Sequence, residues 1–142
     1  MEESIDKAVF EGFSDGLEAD ELSPVVLAYL GDSVYEMLVR LYVLSHGSKQ
    51  PDRIHRHTTG LVNAASQARM FYAVEEMLTE EELHIYKRGR NASKLSYAKN
   101  QSVGDYRKAT GFEALIGWLY LKKRYSRIEE LVRRGISVIS GV

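Results

Sequence analysis

Apolar residues recur along most of this chain at three- and four-residue steps, the repeat of an α-helix that buries one face. Val26, Leu27, Leu30, Val34, Leu38, Leu41 and Val43 or Leu44 form the first such series. Ser23-Pro24 ahead of it reads as an N-cap with proline at the first helical position, and Gly47 as the residue that ends it. Gly31 lies inside this helix at a cost of up to about 1 kcal/mol relative to alanine. Its presence predicts close approach of another backbone, either a second helix or a second subunit. Residues 48–51 read as a turn, 52–57 as a short helical piece and 61–78 as a longer helix. Thr79 followed by Glu82 is a capping box, predicting a helix to about residue 88. Residues 89–104 are rich in Asn, Ser, Lys and Gly with little apolar periodicity, so they read as a long loop, a kind that tends to be functional or disordered. From Tyr106 the pattern resumes through Phe112, Leu115, Ile116, Leu119 and Tyr120, and a last helix over 125–139 places Ile128, Leu131, Val132 and Ile136 on one face. No segment alternates as a strand does and no repeat is present, so the fold class is all-α.

Composition narrows the setting. A chain of 142 residues is sized for one domain and can bury roughly two thirds of its unfolded surface. It has no cysteine, which excludes disulfides and thiolate metal sites. No apolar run approaches the roughly 20 residues needed to span a bilayer. The N-terminus lacks the basic-then-apolar pattern of a secretory signal, so no membrane association and a cytoplasmic location are expected. The net charge of −1 conceals an asymmetry: residues 2–21 carry eight acidic groups against Lys7, while residues 87–108 carry seven basic groups against Asp105. We therefore divide the chain into an acidic N-terminal segment, 1–21, and a single domain, 22–142. Sequence-independent nucleic-acid binding requires local positive charge rather than a high overall pI, and the basic stretch suits either that role or an ordinary solvated loop.

Two carboxylates fall among apolar residues. Asp32 follows Leu30-Gly31 in the first long helix, and Glu113 lies between Phe112 and Ala114-Leu115-Ile116. A buried carboxylate without a partner costs several kcal/mol, roughly, so such groups are paired, hydrogen-bonded or metal-bound. On these grounds alone a structural ion pair or a solvent-facing position is the readier reading. Glu36 shares the Asp32 face and has Arg40 one turn on as a ready partner. Hard divalent cations such as Mg²⁺ take oxygen ligands and often only one or two protein carboxylates. His46, His55, His57 and His84 form no zinc pattern, and the chain contains neither a phosphate-binding P-loop nor a GxSxG nucleophile motif, so no small-molecule cofactor is expected.

The segment Leu27-Ala28-Tyr29-Leu30-Gly31-Asp32-Ser33-Val34 resembles the signature helix of the ribonuclease III family, and Phe112-Glu113-Ala114-Leu115-Ile116-Gly117 resembles that family's later Glu-Ala-Leu-Ile-Gly helix. Order and spacing both match. The stretches Lys87-Arg88-Gly89-Arg90-Asn91-Ala92 and Tyr106-Arg107 are similar to the small bacterial Mini-III branch, which consists of the catalytic domain alone. The likeness spans roughly residues 22–139, and no double-stranded-RNA-binding domain is expected to follow. Two departures from the wider family stand out: Ala28 and Thr110 occupy positions where its members carry carboxylates.

The resemblance implies a dimeric, Mg²⁺-dependent endoribonuclease, Mn²⁺ substituting, that cleaves double-stranded RNA and leaves 5′-phosphate and 3′-hydroxyl ends. Asp32 and Glu113 are then the catalytic and metal-binding residues. The implied RNA contacts are Arg88, Arg90, Lys94 and Lys99, with Asn100, Arg107, His57 and Thr58 as further candidates. Signature helices would pack across the two-fold axis of a homodimer, giving Gly31 its reason. The implied substrate is precursor large-subunit (23S) ribosomal RNA, with a large-subunit ribosomal protein as a possible aid. The alternative is a non-catalytic dimeric RNA-binding protein acting in ribosome assembly.

Overall fold

The computed structural model describes residues 12–47, 49–92 and 102–141. Six main helices build the body: α1 (Pro24–His46), α2 (Pro51–Val62), α3 (Ala64–Val74), α4 (Glu80–Ala92), α5 (Val103–Leu121) and α6 (Tyr125–Ser140). There is no strand among the described residues. Helix α5 is the hub and packs against α1, α3, α4 and α6. Its residues from Ala109 to Leu119 are buried at every position except Glu113, which is half-buried. A helix apolar around its whole circumference belongs in the middle of a fold, and α5 is there.

Local chemistry sets the ends. The Val26 amide donates to Ser23 Oγ at 3.3 Å, Pro24 occupies the first turn, and the Gly47 amide donates to Val43 O at 2.8 Å. At the α4 start the Thr79 amide donates to Glu82 Oε1 at 2.9 Å and the Glu82 amide to Thr79 Oγ1 at 3.1 Å, the reciprocal capping box. The buried Glu82 also receives Arg127 in a two-point pair, Nη2 to Oε1 at 2.8 Å and Nε to Oε2 at 2.9 Å, which ties α6 to α4. From the acidic segment, Asp20 accepts from Trp118 Nε1 at 2.9 Å and from Lys122 Nζ at 2.6 Å.

Three expectations change. The predicted 52–57 piece and 61–78 helix are instead α2 and α3, broken at Asn63, whose Oδ1 accepts from the Ser66 amide at 2.8 Å and caps α3. Helix α4 runs to Ala92, so Gly89 is not the start of a loop; residues 93–101 lie outside the described set. A Cβ at Gly89 would come within 2.7 Å of Ala114 Cβ and 3.0 Å of Gly111 Cα, so this glycine lets α4 lie close on α5. Finally, Val26, Leu41 and Leu44, read as inward positions, are exposed, and with Val25, Tyr29 and Met37 they make a second apolar face on α1. The inward face is Leu27, Ala28, Gly31, Val34, Tyr35, Val39 and Val43.

Gly31 answers a helix of its own chain rather than a second subunit. A Cβ there would stand 1.7 Å from the Glu113 carbonyl oxygen, and one at Gly117 would stand 2.0 Å from the Leu27 carbonyl oxygen. Helices α1 and α5 therefore cross backbone to backbone, each supplying a glycine where the other passes. Gly31→Ala is expected to lower unfolding free energy by about 3 kcal/mol or more, because backbone cannot give way as a side chain can. Gly60→Ala, an exposed helical position with nothing within 4 Å, is expected to raise it by about 0.5–1 kcal/mol. Urea titration of both variants checks the contrast.

Candidate active site

The α1–α5 crossing decides where the two carboxylates go. Asp32 follows Gly31, and Glu113 is the residue whose carbonyl Gly31 passes, so the crossing brings the two side chains together. They lie close enough to share a hydrogen bond, with Asp32 on the solvent side and Glu113 half-buried behind it. Among the described residues no cation pairs with either carboxylate, so the ion-pair reading does not describe them. Glu36 does pair with Arg40, at 2.7 Å.

Glu113 sits in a demanding environment. Burial, first, and then the hydrogen bond and negative charge of Asp32 push its carboxyl up to about 8. One group opposes them: Gln67 Nε2 donates to Glu113 Oε2 at 3.2 Å. Gln67 lies in the first turns of α3 and is 3% exposed. Beneath the pair, fully buried Tyr35 donates its hydroxyl to Leu61 O at 2.7 Å and meets Phe112 edge-on at 5.6 Å. Burial and the Glu113 charge hold the Tyr35 phenol above its ordinary range, so it stays neutral. Ala28 and Thr110, each one turn before a site carboxylate, add no acid; the buried Thr110 donates to its own helix at Tyr106 O, 3.0 Å.

Arg88 and Arg90 flank Gly89, and the Gly89–Gly111 contact sets them beside the α5 turn that precedes Glu113. Arg88 is exposed, while Arg90 lies 5.8 Å over the Tyr86 ring and donates Nε to Asn91 Oδ1 at 3.2 Å. Arg107 is exposed near the start of α5. His57 is half-buried, 5.9 Å edge-on to Tyr42 and close to Gly47. Thr58 is 8% exposed, with a buried Oγ1 that has no hydrogen-bond partner among the described residues. Lys94, Lys99 and Asn100 lie outside the described residues. Sequence reasoning passed over Gln67. Its signal was an amide spaced with Ala64, Ala68 and Phe71 on the inward face of α3.

The ribonuclease III domain family matches residues 25–124, which contain the whole carboxylate site. The chain belongs to the ribonuclease III family. Within that family it is similar to Mini-ribonuclease 3 of Enterococcus faecalis, 47% identical over 114 residues that cover 79% of this chain and 86% of the relative. It is likewise similar to Mini-ribonuclease 3 of Brevibacillus brevis, 43% identical over 119 residues covering 84% and 89%. The crystal structure of a Fusobacterium nucleatum protein superposes with a TM-score of 0.73 at 31% identity, covering 85% of this chain and 94% of that one. These matches place the chain in the Mini-ribonuclease 3 branch, and the family's helical fold is the one described above.

The raised carboxyl of Glu113 has a consequence for stability. An acid whose folded pKa lies above its unfolded value binds more protons in the native state between the two, so stability falls as pH rises through that window, here from about 4.5 to about 8. In metal-free protein, Glu113→Gln is expected to raise the Tm at pH 8 and to change it little at pH 4.5. Each kcal/mol of relief amounts to about 4 °C for a domain of this size. Differential scanning calorimetry in the presence of chelator at the two pH values checks the sign.

Proposed function

We propose that this chain is a divalent-metal-dependent endoribonuclease that hydrolyses double-stranded RNA as a homodimer. The observation that carries the reading is the convergence of Asp32 and Glu113 from crossing helices, without a cation among the described residues to balance them, in a chain of the ribonuclease III family. Among the described residues there is no cluster of three or more His, Cys, Asp or Glu side chains. A site of two carboxylates still suits Mg²⁺, or Mn²⁺ in its place, because these hard ions take oxygen donors and complete their shell with water and substrate phosphate. Burial and mutual repulsion at Glu113 are what a cation between the two groups would relieve.

Asp32 and Glu113 would hold the metal, which when bound activates water and stabilises the departing 3′-oxygen. The reaction is hydrolysis: a water oxygen bonds to phosphorus as the P–O3′ bond breaks, leaving 5′-phosphate and 3′-hydroxyl ends. Buried Tyr35, close enough to Glu113 to feel its charge, packs edge-on against Phe112. Arg88, Arg90 and Arg107, with Lys94, Lys99, Asn100 and His57, would engage phosphates and 2′-hydroxyls, the features through which duplex RNA is read. The second apolar face of α1, from Val25 to Leu44, supports the homodimer, because a solvent-exposed row of that length marks an interaction surface. Kinship with Mini-ribonuclease 3 proteins supports precursor large-subunit (23S) ribosomal RNA as substrate in the cytoplasm, with a large-subunit ribosomal protein as an aid. Ala28 and Thr110 in place of acids are the observation that favours the second reading, a non-catalytic RNA binder in ribosome assembly.

Cleavage separates the readings. Wild-type protein is expected to cut long duplex RNA in Mg²⁺ and stop on addition of chelator, while Asp32→Asn, still folded, falls to the level of the enzyme-free control. RNA binding by wild type without cleavage would establish the second reading. Arg88→Ala and Arg90→Ala are each expected to weaken RNA binding and to flatten the slope of log K against log salt by about 1, measured by fluorescence anisotropy across salt concentrations.

A further inference from the structure

A glutamine buried to 3% exposure needs a partner for its amide, and Gln67 takes Glu113. The placement is built rather than incidental. Asn63 caps α3, Ser66 Oγ donates to Gly60 O at 2.6 Å, and the Tyr35 hydroxyl holds Leu61 O at 2.7 Å, so the first turn of α3 is fixed to the end of α2, and that end of α2 is fixed in turn to α1. Gln67 stands on that anchored turn, with Ala64, Ala68 and Phe71 buried on the same side of α3. Among the described residues the side chains that reach the Glu113 carboxyl are Asp32 and Gln67. Asp32 repels it once both are ionised; among the described residues Gln67 is the side-chain amide that donates to it. Of the positions one turn before the carboxylates, Ala28 carries no polar group and Thr110 donates its hydroxyl to Tyr106 O.

We propose that Gln67 is a positioning residue of the site: by donating Nε2–H to Glu113 Oε2 it locks the carboxylate rotamer in which Glu113 and Asp32 converge on a shared divalent cation. The inference rests on the metal-dependent reading given above. A carboxylate pair without a tether separates by side-chain rotation when its charges repel, and must be gathered again on binding. A tether from a rigid helix removes that step, which is how partners of metal ligands raise affinity, by about 10–100-fold in measured sites. The donor has to be neutral and buried. A glutamate in this place would add a third negative charge, and an exposed amide would bond to water instead.

Gln67→Met keeps the length and bulk of the side chain and removes only the donor. Mn²⁺ binding to the RNA-free protein is measured by isothermal titration calorimetry, beside the thermal midpoint and steady-state cleavage over a range of Mg²⁺ concentrations. The expected result is Mn²⁺ affinity lowered about 10–100-fold, a midpoint close to wild type in chelator, an unchanged KM for RNA, and a kcat deficit that narrows as Mg²⁺ is raised. A role confined to packing would move the midpoint without the rescue by Mg²⁺. Should Gln67→Met not fold, Gln67→Asn, whose shorter amide falls short of Glu113, is put through the same titration with the same expectation. Wild-type Mn²⁺ affinity in the folded variant, or a kcat deficit insensitive to Mg²⁺, overturns the role of Gln67 alone. Wild-type protein that takes up no Mn²⁺ overturns the metal-dependent reading and this inference with it.

Discussion

Helices α1 and α5 touch through their backbones because Gly31 and Gly117 remove the side chains that would hold them apart. The carbonyls of Glu113 and Leu27 occupy the space a Cβ would need on either helix. The active-site geometry follows from that contact. Asp32, next to one glycine, arrives beside Glu113, four residues before the other. A second close approach, Gly89 on Gly111, lays α4 against α5, with Arg88 and Arg90 on either side of the contact. One buried helix thus receives a carboxylate from α1 and a cationic edge from α4, with α3 delivering Gln67 from a third direction.

The site works against the stability of the fold that builds it. A half-buried carboxylate beside another carboxylate is disfavoured by desolvation and by repulsion together, and among the described residues one amide, that of Gln67, offsets them. Protein cores ordinarily avoid this arrangement, which is retained where strain serves binding. On the proposed metal-dependent reading, alanine and threonine where the wider family has acids leave few protein oxygens to hold a cation. Their orientation would then count for more than their number, which is the part proposed for the buried amide of Gln67.

Much of this was legible in the sequence, and the exceptions share a physical cause. Caps announce themselves: Ser23-Pro24 and the Thr79–Glu82 box specify helix starts through local hydrogen bonds, and both form as read. Glycine is ambiguous, since the absent side chain that suits loops also lets helices touch; Gly89 reads as the start of a loop and is a helix contact. The same ambiguity left Gly31 between a partner helix and a partner subunit, which only the packing of α5 decides. Apolar period likewise gives the repeat but not the destination of each face, so the outward residues of α1 were counted with its core. Asp32 and Glu113 were conspicuous as acids among apolar residues, yet their meeting depends on a crossing that no local pattern encodes. Gln67 was hidden because an amide on an inward face is informative only once its partner is known.

The central claim is that the crossing gathers Asp32 and Glu113 to hold one kind of ligand, a hard divalent cation. Anomalous diffraction from crystals grown with Mn²⁺ tests it most directly, since it locates the ion without reliance on catalysis. The account predicts an anomalous peak bridged by carboxylate oxygens of Asp32 and Glu113 at about 2.1 Å, near the spacing that Mg²⁺ also demands. A fully occupied Mn²⁺ elsewhere on the protein, with no peak between these two side chains, would contradict it.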